Sequence, residues 1–291
     1  MRASMPPSRK LRAGIVDYLN AWPLAWGFLA GALQETYDPV YLPPAGVARE
    51  LSAGRLDVGL VPSIEVQRQP DLLVIPGLCV AATHEVRSVI LVSRRPIESI
   101  RRVALDHNSR TSAVLVQILL GALHGIAVEV EEASPDVEEM LARADAALLI
   151  GDPALRVDRR GLEIWDLAGL WRELTGLPFV FAVWALHPRA GTDAPRIVGD
   201  LHRSLELGLA ELDRLVARAT EELGLQAEEV RTYLTRNLSY RLDSEALAGL
   251  HAFHQRAEEL GFIAESRAIA FTGPAIDPPS VAAEGGSTVS R

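Results

Sequence analysis

Seven consecutive polar residues, Asp106-His107-Asn108-Ser109-Arg110-Thr111-Ser112, stand between a short apolar strand and an apolar run, Ala113 to Leu123, that reads as a buried helix. Free backbone N–H groups at the start of a helix carry partial positive charge and favour carboxylates or phosphates. Ser109, Thr111 and Ser112 add hydroxyl donors, and the Arg110 guanidinium adds a planar fork that matches a carboxylate. The plainer reading is that Ser109 or Thr111 only caps the helix.

Three other polar groups stand beside apolar strands. In "IGDPALR" (150–156) a strand ends at Gly151, where the backbone can approach a ligand, and Asp152 opens the next turn. Ends of parallel strands are where open α/β sheets bind ligands. In "VDYLNAWPL" (16–24) Asp17 and Asn20 are the polar members; Asn20 either starts a helix or turns its amide to a cleft. "EVRSVILVS" (85–93) puts Arg87 and Ser88 at the entry to a strand. Other patterns fall short of a site. "DHNS" holds Asp, His and Ser too close in sequence to be assumed a triad, which a fold assembles from separate elements. "HAFH" (251–254) offers two histidines with no further ligand pattern nearby, so no metal is expected. No glycine-rich phosphate loop and no nucleotide or redox signature occurs.

The elements that must position these residues alternate. Residues 11–16, 39–42, 56–62, 72–82 and 86–93 read as strands, with helices from Pro23 to Gln34 and over 45–54. A second series follows: strand 102–106, helix 111–124, strand 127–131, helix 136–143, strand 146–150, helix 166–175 and a long apolar strand over 177–188. Such alternation predicts an α/β fold with largely parallel sheets. Residues 195–222, 226–238 and 243–260 then read as three helices with no strand between them. A helical block of that kind has to pack back on the first α/β unit. The expected organisation is therefore a discontinuous first domain (11–94 plus 188–272) with a second domain (95–187) inserted. Hinges are expected near 93–96 and 185–189, and residues 1–10 and 273–291 as flexible termini.

Composition narrows the function. The chain has 291 residues, 48% of them hydrophobic, enough for a substantial core. A net charge of −9 argues against nucleic acid and anionic membrane as partners, while a local pocket can still hold a small anion. One cysteine, Cys79 in an apolar run, allows no internal disulfide. With no apolar leader and no spanning segment legible, the expectation is a cytoplasmic protein. Oligomeric state stays open, a homodimer being one option.

Taken together, "GIVDYLNAWPLAWG", "LSAGRLDVGLVPSIEV", "VRSVILVS", "VALDHNSRTSAVLVQILL", "DAALLIGDPAL", "DLAGLWRELTGLPFVFAVWA" and "YLTRNLSYRLDSEALAGLHAF" resemble, in order, the chorismate dehydratase family of the futalosine route to menaquinone. The likeness runs from about residue 11 to about residue 262. It implies a two-lobed type II periplasmic-binding-protein fold used as an enzyme. The reaction implied is loss of water from chorismate to give 3-[(1-carboxyvinyl)oxy]benzoate, with no metal or organic cofactor. It implies that Asn20 acts near the leaving hydroxyl. Ser109, Arg110, Thr111 and Ser112 would hold one carboxylate, and Ser88 with Arg87 the other. Asp17, Gly151, Asp152 and Phe179 would line the cleft. The family's proton acceptor is the enolpyruvyl carboxylate of the substrate, with Asp17, His107 and Asp152 as protein alternatives. The sister dihydroxynaphthoate synthase and a non-catalytic small-anion binder are the competing readings.

Overall fold

A computed structural model describes residues 9–273, so the expected flexible termini, 1–10 and 273–291, lie outside the described residues except for 9, 10 and 273. Two sheets organise the chain. The first contains β1 (Leu11–Val16), β2 (Tyr37–Leu42), β3 (Val58–Pro62), β4 (Leu73–Ala82), β10 (Phe179–Leu186) and β11 (Ser239–Leu242), in the order β11-β4-β10-β3-β1-β2. The second contains β5 (Val89–Ser93), β6 (Arg102–Asp106), β7 (Glu129–Ala133), β8 (Ala146–Ile150) and β9 (Glu163–Asp166), in the order β7-β6-β8-β5-β9.

Both sheets are mixed, which corrects the expectation of largely parallel ones. β1 pairs in parallel with β2 and β3, but β10 runs antiparallel to both β3 and β4. β6 is parallel to β7 and β8, whereas β5 is antiparallel to β8 and β9. Two strands also exchange sheets relative to the sequence reading: β5 belongs to the five-stranded sheet and β10 to the six-stranded one. The chain therefore passes between sheets through 83–88 and 167–178. The positions expected as hinges lie within single sheets. β5 and β10 are almost wholly buried apolar runs, and such runs suit the middle of either sheet.

Helices α1 (Trp22–Leu29), α2 (Pro44–Ser52), α3 (Glu65–Arg68), α8 (Ala194–Ala210), α9 (Leu212–Leu223), α10 (Ala227–Thr232) and α11 (Ser244–Glu259) accompany the first sheet. Pro23 stands in the first turn of α1, where its missing N–H costs nothing. α1 lies against α8, where Ser204 Oγ donates to Leu24 O (2.7 Å) and accepts from Gly27 N (2.8 Å). The second sheet carries α4 (Thr111–His124), α5 (Val137–Arg143), α6 (Gly151–Leu155) and α7 (Leu167–Thr175). α4, nearly all apolar, sits between the sheets, and one continuous core joins both lobes. A second, smaller core lies between the five-stranded sheet and α5, around Ile90, Val92, Met140 and Leu149.

Candidate functional site

Each lobe contributes one wall of a cleft, open on one side to solvent. The first lobe supplies Val16, Tyr18, Asn20, Pro44, Leu60, Pro62, Val80, Phe181 and Ala182; the second supplies Val89, residues 108–112, Ile150 and Gly151. Much of the lining is apolar, and most of its polar groups gather at one end.

That end is the start of α4. Among the described residues no side chain caps it, so the plainer reading of Ser109 or Thr111 as a cap does not hold. Ser109 Oγ is buried without a hydrogen-bond partner among the described residues. A buried hydroxyl beside open helix amides is a strong place for an anionic group, since an unmet donor costs about 1–3 kcal/mol. Thr111 also ties the lobes together, its Oγ1 accepting from Ile64 N (3.2 Å) of the other lobe and lying 3.4 Å from Ser63 Oγ. Arg110 is held from behind, its Nη1 3.2 Å from Oε1 of the buried Glu65, which also accepts from Arg68. Asp106 ends β6 beneath this loop. Its Oδ1 accepts from Asn108 N (2.9 Å), and burial raises its carboxyl above the usual carboxylate range against that bond.

Opposite stands a tight turn at the end of β1, residues Leu19–Ala21, which carries Asn20. Tyr18 precedes it, with burial raising its phenol far above the ordinary value and Asp106 and Asp152 adding to the rise. The Tyr18 ring rests on Gly151. A Cβ there would stand 2.4 Å from the ring, and the φ of +63° is one that glycine adopts without strain. Gly151 N donates to Ser88 O (2.8 Å), so this amide is already bonded.

The structure brings together Asn20, Ser109, Arg110, Thr111, Ser112 and Gly151 of the residues expected from sequence. Five others lie elsewhere. Asp17 is exposed and outside the cleft lining. Ser88 is fully buried and outside the cleft lining, its Oγ accepting from Tyr233 OH (2.7 Å). Arg87 lines a separate small cavity with Glu229 and Tyr233. Its φ of +65° is the one positive value at a non-glycine residue among those described, and its N–H donates to Asp166 Oδ2 (2.6 Å). Asp152 does not face the cleft; its Oδ1 accepts from Leu19 N (2.9 Å). Burial pushes the Asp152 carboxyl up to about 6 and Asp17 adds to the rise, while Leu19 N–H and Arg156 oppose it. Phe179 is core, in edge-to-face contact with Trp171, Phe181 and Phe253. Of the two phenylalanines it is Phe181, one alternation further along the strand, that reaches the cleft.

Sequence reasoning missed Tyr18, Asn108 and Phe181 as lining residues. Asn108 lay inside the polar run, and Phe181 shares the strand face of Phe179. The two histidines of "HAFH" point apart, His251 to solvent and His254 into the core. Among the described residues no group of three or more His, Cys, Asp or Glu side chains is placed to hold a metal ion.

Two mixed sheets, each lobe closing one side of a cleft, define a periplasmic-binding-protein-like α/β protein. Solved structures agree. A protein of Archaeoglobus fulgidus superposes with a TM-score of 0.74 at 17% identity, over 88% of this chain and 99% of that one. The alkanesulfonate-binding protein SsuA of Xanthomonas axonopodis pv. citri gives 0.69 at 18% identity, over 92% and 98%. The chain belongs to the menaquinone biosynthesis family, whose model matches residues 11–259. A chorismate dehydratase of Thermus thermophilus is 32% identical over 266 residues, 85% of this chain and 94% of that protein. A second, of Campylobacter jejuni, is 28% identical over 174 residues, 58% and 64% of the two chains.

Proposed function

We propose that this chain dehydrates chorismate to 3-[(1-carboxyvinyl)oxy]benzoate, the entry reaction of the futalosine route to menaquinone. One observation carries the reading: the cleft pairs an anion-seeking end, the uncapped α4 start with the unpartnered Ser109 hydroxyl, with a largely apolar remainder whose polar members are Tyr18 and Asn20, and among the described residues its lining has no carboxylate or imidazole. Chorismate is a dicarboxylate on an apolar ring, which matches such a site.

The chemistry follows from that inventory. A ring C–H adjacent to the C–OH carbon loses its proton, the C–O bond breaks, and hydroxide leaves as the ring becomes aromatic. Among the described residues Arg110 is the one formally charged side chain in the lining, and Tyr18 is held protonated, so neither is a general base near neutral pH. The substrate's own enolpyruvyl carboxylate is the base in this reading, and it returns the proton to the departing hydroxide as water. Ser109, Ser112 and the α4 amides orient one carboxylate, Asn20 donates toward the leaving oxygen, and the apolar part of the lining keeps out solvent. The second carboxylate is not assigned to Ser88 or Arg87, whose side chains lie away from the cleft. A cytoplasmic setting belongs to the same reading and suits a chain with one cysteine, buried and free.

The test is chromatography and mass analysis of purified protein with chorismate in EDTA. The expected product is one water lighter, with benzoate absorbance. Ser109→Ala should lower kcat/KM roughly 10- to 100-fold, as loss of one oriented donor does. Chorismate unchanged beyond the protein-free control overturns the proposal. Binding of chorismate without turnover would then indicate a silent binder, and turnover of a later pathway intermediate the sister synthase.

A further inference from the structure

Two short segments, far apart in sequence, meet where the lobes touch. Tyr18, Leu19 and Asn20 follow β1 of the first lobe; Gly151 and Asp152 follow β8 of the second. The contact has two parts. The Tyr18 ring lies on the Cα of Gly151, in space that any Cβ would occupy. Leu19 N–H donates to Asp152 Oδ1 at 2.9 Å, a buried bond spanning 133 residues. Leu19 N–H belongs to the first residue of the turn that carries Asn20, and no other side chain caps that turn. The turn that carries Asn20 is thus tied at its first amide to a carboxylate on the opposite lobe.

We propose that Asp152 is a positioning residue: with Gly151 it forms a latch across the lobes that sets Asn20 in its working orientation only when the lobes are together. This deepens the dehydration reading and, for its kinetic consequence, rests on it. When the lobes part, the Leu19 amide loses its partner and the Asn20 turn is released, so the group that attends the leaving hydroxyl is assembled only around an enclosed substrate. Asp152 itself touches no reacting atom.

The latch is also sensitive to acid. Burial raises the Asp152 carboxyl to about 6, and several charged or titratable groups face it: Arg156 from its own helix end, Asp17 and Tyr18 from the end of β1, and Tyr233 from the helical turn after α10. Below that pH the carboxylate is protonated and a weaker acceptor for Leu19 N–H.

The test uses the full chain, with two readouts. In the first, the Leu19 backbone amide of 15N-labelled, ligand-free protein is followed by NMR from pH 4.5 to 8. Its proton resonance should shift with a midpoint near pH 6 in the wild type and stay flat in Asp152→Asn. A Leu19 amide that does not move in the wild type overturns the latch. In the second, chorismate turnover is measured across the same pH range. Asp152→Ala should lower kcat roughly 10- to 100-fold with KM changed less than about threefold, the mark of a mis-set group rather than a lost binding contact. Asp152→Asn, which keeps an acceptor oxygen, should restore kcat to within about threefold and lose the decline below pH 6. An Asp152→Ala kcat within about twofold of wild type also overturns the proposal. If Asp152→Ala does not fold, the isosteric Asn variant and the wild-type amide titration decide it. If the wild type makes no product from chorismate, the dehydration reading fails while the amide titration still decides whether the latch exists.

Discussion

His254 has the chemistry of a functional side chain and the surroundings of a structural one. It is fully buried on α11, with Nε2 3.2 Å from Ser63 O and Nδ1 3.1 Å from Gln67 Nε2. The Gln67 amide donates to Nδ1, so the imidazole is neutral and Nε2 donates to the carbonyl. Burial pushes its pKa down from the ordinary 6.5 to about 4. An unfolded chain takes up that proton near 6.5 and the folded chain only near 4, so the neutral ring contributes stability above pH 6.5 that is lost as pH falls to 4. The contribution is about 3 kcal/mol. Asp152 acts with the opposite sign, since a carboxyl raised from 3.8 to about 6 contributes stability at low pH that is lost as pH rises through 6. The two partly cancel in the wild type, so the comparison must be between variants. Urea unfolding of wild type and His254→Gln from pH 8 to 4 should show the wild type losing about 3 kcal/mol more than the variant; parallel curves would refute this. At this scale the sequence revealed residue types better than directions. The run 106–112 was legible because so many hydrogen-bonding side chains next to an apolar helix need a common use. Ser88, Arg87, Asp152 and Phe179 were also singled out, but whether each faces the cleft depends on which neighbour packs behind it. Tyr233 decides that for Ser88, Leu19 for Asp152, and Trp171 with Phe253 for Phe179.

Asp166 shows how one residue can organise several elements. It ends β9, caps α7 through Ala168 N and Gly169 N (3.0 and 3.1 Å), and accepts from Val86 N and Arg87 N (3.1 and 2.6 Å) in the segment that passes between the sheets. The left-handed conformation of Arg87 is one a non-glycine residue adopts only when its surroundings impose it, and Asp166 supplies that hold. Asp166→Ala should destabilise by about 2–3 kcal/mol, the loss of a cap together with unmet amides. Asp166→Asn, which retains an acceptor oxygen, should cost less than half as much. The urea midpoint measures both, and equal costs would show that charge, not the four-donor geometry, is what matters. Elements with strong signals were legible: β1, β3, β6, β8 and α4 lie close to where alternation and polar breaks put them. β11 was missed because four residues, with only Tyr240 and Leu242 turned inward, give too short a period. The long helix expected over 195–222 divides at Glu211, whose carboxylate accepts from the Trp26 indole at 2.9 Å, a tertiary contact with no local trace in sequence.

The whole molecule is held together by bonds that cross the cleft: Leu19 to Asp152, Ile64 to Thr111, Glu65 to Arg110 and Ser88 to Tyr233. The lobes can part only if these bonds open, so the ligand-free protein in solution should exchange between this closed form and wider ones. Small-angle scattering should give a radius of gyration that falls on saturation with chorismate, and equal radii with and without ligand would count against closure. The order of strands has a further consequence. β10 lies between β3 and β4, yet it is made more than ninety residues after them, and β11 follows later still. The five-stranded sheet draws all its strands from the contiguous stretch 89–166. As the chain leaves the ribosome that sheet can be complete while β3 and β4 still have an open gap between them. The inserted lobe is then the platform on which the first lobe finishes folding, and apolar strand edges wait exposed until residue 186 emerges.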